Sequence, residues 1–232
     1  MTNETGEIKR IKLFYRARIS EGIVNRYSLL NPGELYIMHR REEETLKLLK
    51  RYGVEPEKAR VLEIGCGNGS RLLDWLRWGA SPSRLYGNDL MEEFILQAKE
   101  KLPSAHLSTG SADSLPFENG FFTVVAQSMV FTSILDDSLR AAIAAEMLRV
   151  LAPGGVILWY DFRYPSPGNK NVRAIGADGI KRLFPGCSAD LRSLTLLPPI
   201  ARRLARISFT ACRLLEKLPP LRSHYMAVIR KK

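Results

Sequence analysis

The segment that most constrains the fold of this chain is Val61-Leu62-Glu63-Ile64-Gly65-Cys66-Gly67-Asn68-Gly69. It begins as a short apolar run typical of a buried strand and continues directly into three glycines at alternate positions. Residues 70–79 then repeat apolar side chains at helical spacing. Because glycine has no Cβ and the first turn of a helix has unpaired N–H groups, a ligand can approach this backbone closely. The segment therefore predicts a strand, a ligand-binding loop and a helix in direct succession.

Strand-like and helix-like segments continue to alternate after this loop. Short apolar or β-branched runs occupy residues 84–87, 105–108, 121–127 and 156–160, with helical patterns at residues 91–102 and 137–151 between them. Such alternation predicts βαβ units with right-handed crossovers. With two later strands at residues 190–196 and 224–229, we expect an α/β fold. Its core is a three-layer αβα doubly wound sheet of about seven strands, mostly parallel with an antiparallel last strand.

The flanking segments predict additional helices around this sheet. Residues 21–30 and 33–52 read as an N-terminal helical cap, residues 178–184 as a short helix, and residues 200–217 as one basic amphipathic helix. We expect one domain made of a cap (1–55), a core (56–165) and a substrate-side segment (166–232).

Composition excludes several classes of protein. Hydrophobic residues make up 45% and charged residues 25% of 232 residues, a globular balance that argues against disorder. The three cysteines (Cys66, Cys187 and Cys212) are far apart and lack metal-ligand spacing, so neither a disulfide scaffold nor a metal site is expected. No apolar run is long enough for a membrane span, and the N-terminus does not resemble a secretory signal. These features predict a cytoplasmic protein.

The net charge of +11 is concentrated near the carboxyl terminus. Residues 193–232 carry nine basic residues and one acid, a net charge of +8, whereas the first 192 residues carry +3. This distribution suits an anionic ligand, a membrane surface or nucleic acid. Few aromatic residues accompany the basic ones, which argues against nucleic acid. The basic helix is expected either to cover the sheet or to contact an anionic membrane, which would place the protein at the inner membrane surface.

The glycine spacing separates two classes of cofactor. A dinucleotide fingerprint requires glycine or alanine at the sixth position from Gly65, where this chain has Ser70. The pattern E-x-G-x-G-x-G from Glu63 to Gly69, an acid (Asp89) after the second strand, and the segment 111–117 after the third instead resemble the class I S-adenosylmethionine-dependent methyltransferases. Residues 146–155 are similar to that family's helix and turn before strand five. The similarity runs from about residue 60 to residue 160.

The resemblance implies S-adenosylmethionine as the cofactor and assigns roles around it. Glu63 and the glycine-loop backbone would hold the methionine end, Asp89 the ribose, and Ala112 with Asp113 the adenine. Three alternatives remain: Glu63 bonding loop backbone, Asp89 capping the next helix, and Asp113 stabilising a turn. The implied cofactor-binding residues are Glu63, Gly65, Cys66, Gly67, Gly69, Asp89, Leu90, Ala112, Asp113 and Gln127.

The acceptor would lie above the strand ends, beside the methyl group. Methyl transfer is an in-line displacement, so holding the reactants in line can supply much of the catalysis, and a base is needed only for a weakly acidic acceptor. Asp161, directly after the fifth strand, is the leading candidate for a base, with His39 and His224 as alternatives. Tyr36 could either cover the cofactor or hold the cap helices together. The candidate substrate-binding residues are Tyr27, Arg40, Tyr160, Arg163 and Tyr164.

The sequence leaves the acceptor open. The residues after strand four do not match the N-P-P-Y type motif of amino-methylating enzymes, and acids near strands four to six are too few for a metal-dependent catechol site. A small-molecule oxygen nucleophile is therefore the first expectation. A lipid-linked or quinone-like acceptor at a membrane surface and a non-catalytic module that binds S-adenosylmethionine are the alternatives. The oligomeric state is left open.

Overall fold

A computed structural model describes residues 6–21, 28–165 and 168–232. The helices are α1 (Gly6–Ser20), α2 (Pro32–Arg51), α3 (Ser70–Arg77), α4 (Glu92–Lys101), α5 (Asp137–Val150), α6 (Ala177–Leu183), α7 (Pro198–Leu204) and α8 (Phe209–Glu216). The strands are β1 (Val61–Ile64), β2 (Leu85–Asp89), β3 (His106–Thr109), β4 (Phe122–Ser128), β5 (Leu151–Phe162), β6 (Cys187–Leu196) and β7 (Arg222–Lys231). Single 3₁₀ turns occur at Pro82–Arg84, Phe131–Ser133 and Pro219–Leu221.

The strands form one sheet in the order β3-β2-β1-β4-β5-β7-β6. Strands β1 to β5 pair in parallel, and β7 is antiparallel to both of its neighbours, β5 and β6. The predicted fold class, with its mostly parallel doubly wound sheet and antiparallel last strand, is confirmed. The strand order reverses direction between β1 and β4, and ligands bind α/β sheets at the carboxyl ends of strands beside such a point.

Helices cover both faces of the sheet and bury two separate apolar clusters. On one face, α5 and α6 pack with α1 against alternate side chains of β1, β4 and β5, including Leu62, Val125 and Ile157. On the other face, α2, α3 and α4 pack against the intervening side chains, including Val61 and Val124. Because side chains alternate across a strand, residues 63 and 64 of β1 point into different layers.

A third, smaller cluster joins the cap helix α2 to α7 and α8. Tyr36 of α2 is buried with Ala201 of α7 and Cys212 of α8. The Tyr36 hydroxyl donates to the buried Glu216 carboxylate, which also accepts a hydrogen bond from the Thr195 N–H at 3.1 Å. Tyr36 therefore holds the cap helix in place, which is the second of the two roles predicted for it.

Two helix predictions need correction. The helix α1 at Gly6–Ser20 was not predicted, and of the helix predicted at residues 21–30, residues 28–30 are not helical while residues 22–27 lie outside the described ranges. The single basic helix predicted at residues 200–217 is two helices, because the chain turns after Ala205 and Ser208 starts a new one. The Ser208 hydroxyl accepts a hydrogen bond from the Ala211 N–H at 3.1 Å.

Within the described ranges, no helix is both long enough and apolar enough to cross a lipid bilayer.

Candidate active site

The glycine loop after β1 has a left-handed backbone. Gly65 has a φ of +64° and Gly67 a φ of +53°, a region that favours glycine. A Cβ on Gly65 would lie 2.4 Å from a methyl carbon of Val130, so the loop after β4 closely approaches the loop after β1. A Cβ on Gly67 would meet no described atom within 4 Å. The loop therefore packs tightly on one side and has open space on the other.

Asp89, the last residue of β2, connects this loop to the next helix. Its Oδ2 accepts a hydrogen bond from the Gly67 N–H at 2.8 Å, and its Oδ1 accepts one from the Met91 N–H at 2.9 Å. Burial raises the pKa of Asp89, and these two N–H groups oppose the increase. Each carboxylate oxygen can accept a further hydrogen bond, so Asp89 can support the loop and bind a ligand together.

A cleft lies beside Asp89 and encloses about 800 Å³ when its opening to solvent is included. Its floor comes from the ends of β1, β2, β3 and β4, and α1 contributes Ile11 and Tyr15 to its wall. The Tyr15 hydroxyl lies 3.0 Å from Ser133 Oγ, which fixes α1 over the cleft. The sequence-predicted cofactor residues that line the cleft are Gly65, Gly67, Asp89, Leu90 and Ala112.

The other predicted cofactor residues are not among the lining of this cleft. Cys66 is buried against Gly87 of β2, and Gly69 begins α3 against Ala98 and Leu102 of α4. Asp113 is half-buried next to Ala112. Cys66 and Gly69 therefore pack the glycine loop against its neighbours. Glu63 and Gln127 line a different cavity.

This second cavity, of about 540 Å³, lies on the α2 and α3 side of the sheet and shares Ser128 with the cleft. The buried Glu63 carboxylate lines it, and no group in the described residues donates a hydrogen bond to that carboxylate. Burial raises the pKa of Glu63 to about 8, and the charge of Arg41 opposes the increase. Arg41 reaches Ser128 Oγ from α2, with an Nη1–Oγ distance of 3.3 Å. A carboxylate and a guanidinium thus face the same cavity.

Gln127 has a structural role at the border of this cavity. Its Oε1 accepts a hydrogen bond from the Val130 N–H at 3.1 Å, which closes a turn in which Met129 has a φ of +66°. Its Nε2 lies 3.5 Å from the Tyr160 carbonyl oxygen. Gln127 therefore shapes the loop after β4, and because it also lines the second cavity, its contact with the methionine part of the cofactor stays a prediction.

The predicted substrate residues do not lie together. Tyr27 lies outside the described residues. Tyr160 lines the second cavity, with the Arg41 guanidinium 5.3 Å from its ring centroid. Arg40 faces away and pairs with Glu216 at 3.1 Å. The remaining two, Arg163 and Tyr164, stack on each other outside the lining of both cavities.

The candidate bases do not reach either cavity. Asp161 is fully buried, and its Oδ2 accepts a hydrogen bond from the Thr132 N–H at 3.1 Å. His39 is exposed on α2. His224 stacks between Tyr160 and Phe162, and burial lowers its pKa to about 3, so it is a packed histidine. These positions do not support the catalytic roles predicted for Asp161 and His39.

Several residues that line the cavities were missed in the sequence, among them Ile11, Tyr15 and Arg41. Ile11 and Tyr15 lie at helical spacing with Ile8, and this pattern could have predicted α1. Arg41 had no such signal, because it is adjacent to Arg40 and only the rotation of α2 decides which of the two faces the cavity.

Asp161 supplies a prediction about stability. Burial raises its pKa from 3.8 to about 7, so the folded state binds this proton more tightly than the unfolded state. The resulting stabilisation is complete below the unfolded pKa and is lost as the pH rises through about 7. Asp161→Asn cannot ionise. We therefore expect the wild type to lose on the order of 4 kcal/mol relative to this variant between acidic and mildly alkaline pH, as measured by urea unfolding.

Asp178→Asn, on the surface of α6, is the control and should follow the wild-type pH curve. If the free energy of unfolding had the same pH dependence in Asp161→Asn and the wild type, the prediction of a raised pKa for Asp161 would be wrong.

Comparisons with known proteins agree with this geometry. A family model described as a methyltransferase domain matches residues 61–155. An uncharacterized methyltransferase of Synechocystis sp. is 29% identical over 62% of this chain and 63% of its own length. A phthiotriol/phenolphthiotriol dimycocerosates methyltransferase of Mycobacterium ulcerans is 35% identical over 47% of this chain and 40% of its own length. The chain therefore spans less than two thirds of these curated relatives.

A solved structure has the same fold. An S-adenosylmethionine dependent methyltransferase from Mesorhizobium loti superposes with a TM-score of 0.60 at 16% identity, covering 80% of this chain and 96% of that one. The family match runs from β1 into β5, the stretch that supplies most of the cleft floor. Residues 61–155 of this chain therefore match a methyltransferase domain, and the chain has the fold of an S-adenosylmethionine dependent methyltransferase.

Proposed function

We propose that this protein transfers a methyl group from S-adenosylmethionine to an oxygen of a small-molecule acceptor. The observation that carries the proposal is the cleft at the carboxyl ends of β1, β2 and β4, where Asp89 and the open side of Gly67 face one space. A nucleoside with ribose hydroxyls requires a hydrogen-bond acceptor and close access to backbone, and both are present there.

The polar residues match the separate parts of this cofactor. Asp89 would accept hydrogen bonds from the ribose hydroxyls, and the backbone at Ser111 and Ala112 would meet the adenine edge. The methionine end carries an ammonium and a carboxylate. Glu63, ionised by the neighbouring ammonium, would hold the first and Arg41 the second, because both side chains line the cavity that adjoins the cleft at Ser128.

Positioning is the main contribution that we assign to the chain. When bound, the cofactor would supply an electrophilic methyl group on a sulfonium. The acceptor oxygen would attack the methyl carbon in line with the C–S bond, S-adenosylhomocysteine would leave, and the acceptor proton would pass to solvent. The roof of α1, with Ile11 and Tyr15, would exclude water from the cleft. The sequence-predicted bases do not line the cavities, so we propose that orientation and water exclusion supply most of the rate enhancement.

A lipid-linked or quinone-like acceptor at a membrane surface is the second candidate. The Mycobacterium ulcerans relative is named for phthiotriol and phenolphthiotriol dimycocerosates. In this chain, Tyr160, Trp75 and Trp78 provide aromatic surface in the second cavity. Transfer of a labelled methyl group from S-adenosylmethionine into an organic extract would favour this candidate. Transfer that stays in the aqueous phase would favour a polar acceptor, and binding without any transfer would favour the non-catalytic module.

Calorimetric titration with S-adenosylmethionine and S-adenosylhomocysteine tests the proposal directly. We expect both to bind the wild type. Asp89→Asn loses one charge-assisted acceptor and should weaken binding by about ten- to a hundredfold, since such hydrogen bonds contribute about 1.5–3 kcal/mol. Asp178→Asn on α6 should bind like the wild type. A wild type that binds neither compound would refute the proposed function.

Gly65 and Gly53 form a matched pair for the glycine loop. Their φ angles are +64° and +65°, so alanine at either position should cost about 1–2 kcal/mol of stability from the backbone alone. A Cβ at Gly65 also strikes Val130, which lines the cleft, whereas a Cβ at Gly53 meets nothing within 4 Å. We expect Gly65→Ala to lose S-adenosylhomocysteine binding in calorimetry and Gly53→Ala to retain it. Equal affinities would contradict the assigned site.

The role of Arg41 can be separated from that of its neighbour. Arg41→Met should weaken S-adenosylhomocysteine binding about tenfold or more and leave 5′-methylthioadenosine binding unchanged, because only the first ligand has the carboxylate. Arg40→Met is the control: Arg40 pairs with Glu216, so its loss should lower stability and not change the ratio of the two affinities. A parallel loss of both ligands in Arg41→Met would exclude Arg41 from the methionine end.

A further inference from the structure

The segment from α7 to the end of α8 has an inner and an outer side. Ala201, Ala205 and Cys212 are buried against Tyr36 and Leu196. On the outer side, apolar side chains face solvent. Ile207 is 84% exposed and Leu214 57% exposed, and Phe209 and Leu218 are also exposed. Exposed large apolar side chains close together on a folded protein commonly mark a contact surface.

Cations surround these apolar side chains. Arg203, Arg206 and Lys217 are exposed, and no acidic side chain within the described residues forms an ion pair with any of them. Arg213 is also exposed and pairs with Glu43. Along α8, Phe209, Arg213 and Lys217 recur every four residues and therefore lie on one side of the helix. The segment thus presents apolar and basic groups together, which we call the outer face.

The chain just before α2 lies alongside this segment. Gly33 packs so closely on α7 that a Cβ there would lie 2.4 Å from the Arg202 Cα. Leu30, three residues earlier, is 93% exposed. The ion pair between Arg202 and Glu34, at 2.6 Å, fixes the two elements together. Leu30 therefore lies exposed just before the start of α2, which is the end of α2 that packs on α7.

We propose that the outer face, defined by Arg203, Arg206, Ile207, Phe209, Arg213, Leu214, Lys217 and Leu218, docks on the surface of an anionic lipid bilayer. Apolar side chains beside arginine and lysine are the composition of interfacial helices, in which the apolar groups enter the headgroup region and the cations meet anionic lipids. A second copy of this chain would instead bring the same cations together. Charge complementarity therefore selects the bilayer.

The outer face borders a groove that is adjacent to the second cavity. Arg213 and Lys217 also line a third, open groove of about 1250 Å³. That groove shares Met226 with the second cavity, and the second cavity shares Ser128 with the cleft. Docking through this face would thus place this groove, and the second cavity beside it, near the bilayer. The docking itself does not rest on the proposed methyl transfer, because it requires neither cofactor nor turnover.

Flotation of the full chain with vesicles tests the docking. We expect the protein to float with vesicles of equal parts phosphatidylglycerol and phosphatidylcholine at low salt, and to stay behind with phosphatidylcholine alone. Leu214→Asp should weaken binding about tenfold. Arg203→Gln with Arg206→Gln should weaken it as well and reduce its dependence on salt, since exposed charges are screened within about 10 Å at 0.1 M ionic strength.

Leu96 on α4 is the matched control, because it is 56% exposed and lies on a helix outside this segment. Leu96→Asp should float like the wild type, and thermal unfolding would confirm that each variant is folded. No flotation of the wild type with anionic vesicles, or an equal loss in Leu96→Asp and Leu214→Asp, would overturn the proposal. A dimer that Leu214→Asp dissociates without changing flotation would also overturn it and assign the face to self-association. S-adenosylhomocysteine binding measured on the same variants separates a failure of docking from a failure of the proposed function.

Discussion

The carboxylate of Asp89 is the interaction on which the cofactor cleft depends. Its two oxygens accept hydrogen bonds from the Gly67 and Met91 N–H groups, so one buried charge fixes the loop after β1 and the chain leading into α4. Leaving such buried groups without partners would cost about 1–3 kcal/mol each. Val130, in contact with the position that a Gly65 Cβ would take, adds the loop after β4. Three strand ends are thereby held in one arrangement before any ligand binds.

The sequence was sufficient for this part of the molecule because its signals are local. A strand, alternate glycines and a helix are consecutive, and Asp89 ends the next strand, so their proximity follows from the parallel order of β1 and β2. Helix α1 was not predicted, although Ile8, Ile11 and Tyr15 have helical spacing. Its importance comes from a contact between Tyr15 and Ser133, and a contact across 118 residues leaves no mark on either local sequence.

Side-chain direction decides which of the predicted residues line the cavities. Arg40 and Arg41 are adjacent, yet successive residues of a helix point about 100° apart, so one pairs with Glu216 and the other reaches Ser128. Asp161 follows Tyr160 at the end of β5, and the alternation of a strand sends the tyrosine towards the second cavity and the aspartate into the opposite layer. In both cases the residue type was suitable. The rotation of α2 about its axis and the alternation of side chains along β5 decided which residue lines the cavity, and the sequence does not specify either.

The positive charge of residues 193–232 is only partly exposed as unpaired cations in the folded protein. Part of this charge is neutralised internally, since Arg202 pairs with Glu34 and Arg213 pairs with Glu43. The predicted helix is divided into α7 and α8, and Ile207 lies in the turn between them. Ile207 is therefore exposed and is not one of the apolar side chains that pack against Tyr36. Apolar groups and unpaired cations therefore share one side of the molecule, and that side borders the groove that meets the second cavity at Met226. The two proposals therefore rest on different parts of the fold: the strand ends form the cleft proposed for the cofactor, and the late helices form the surface proposed to dock on the bilayer.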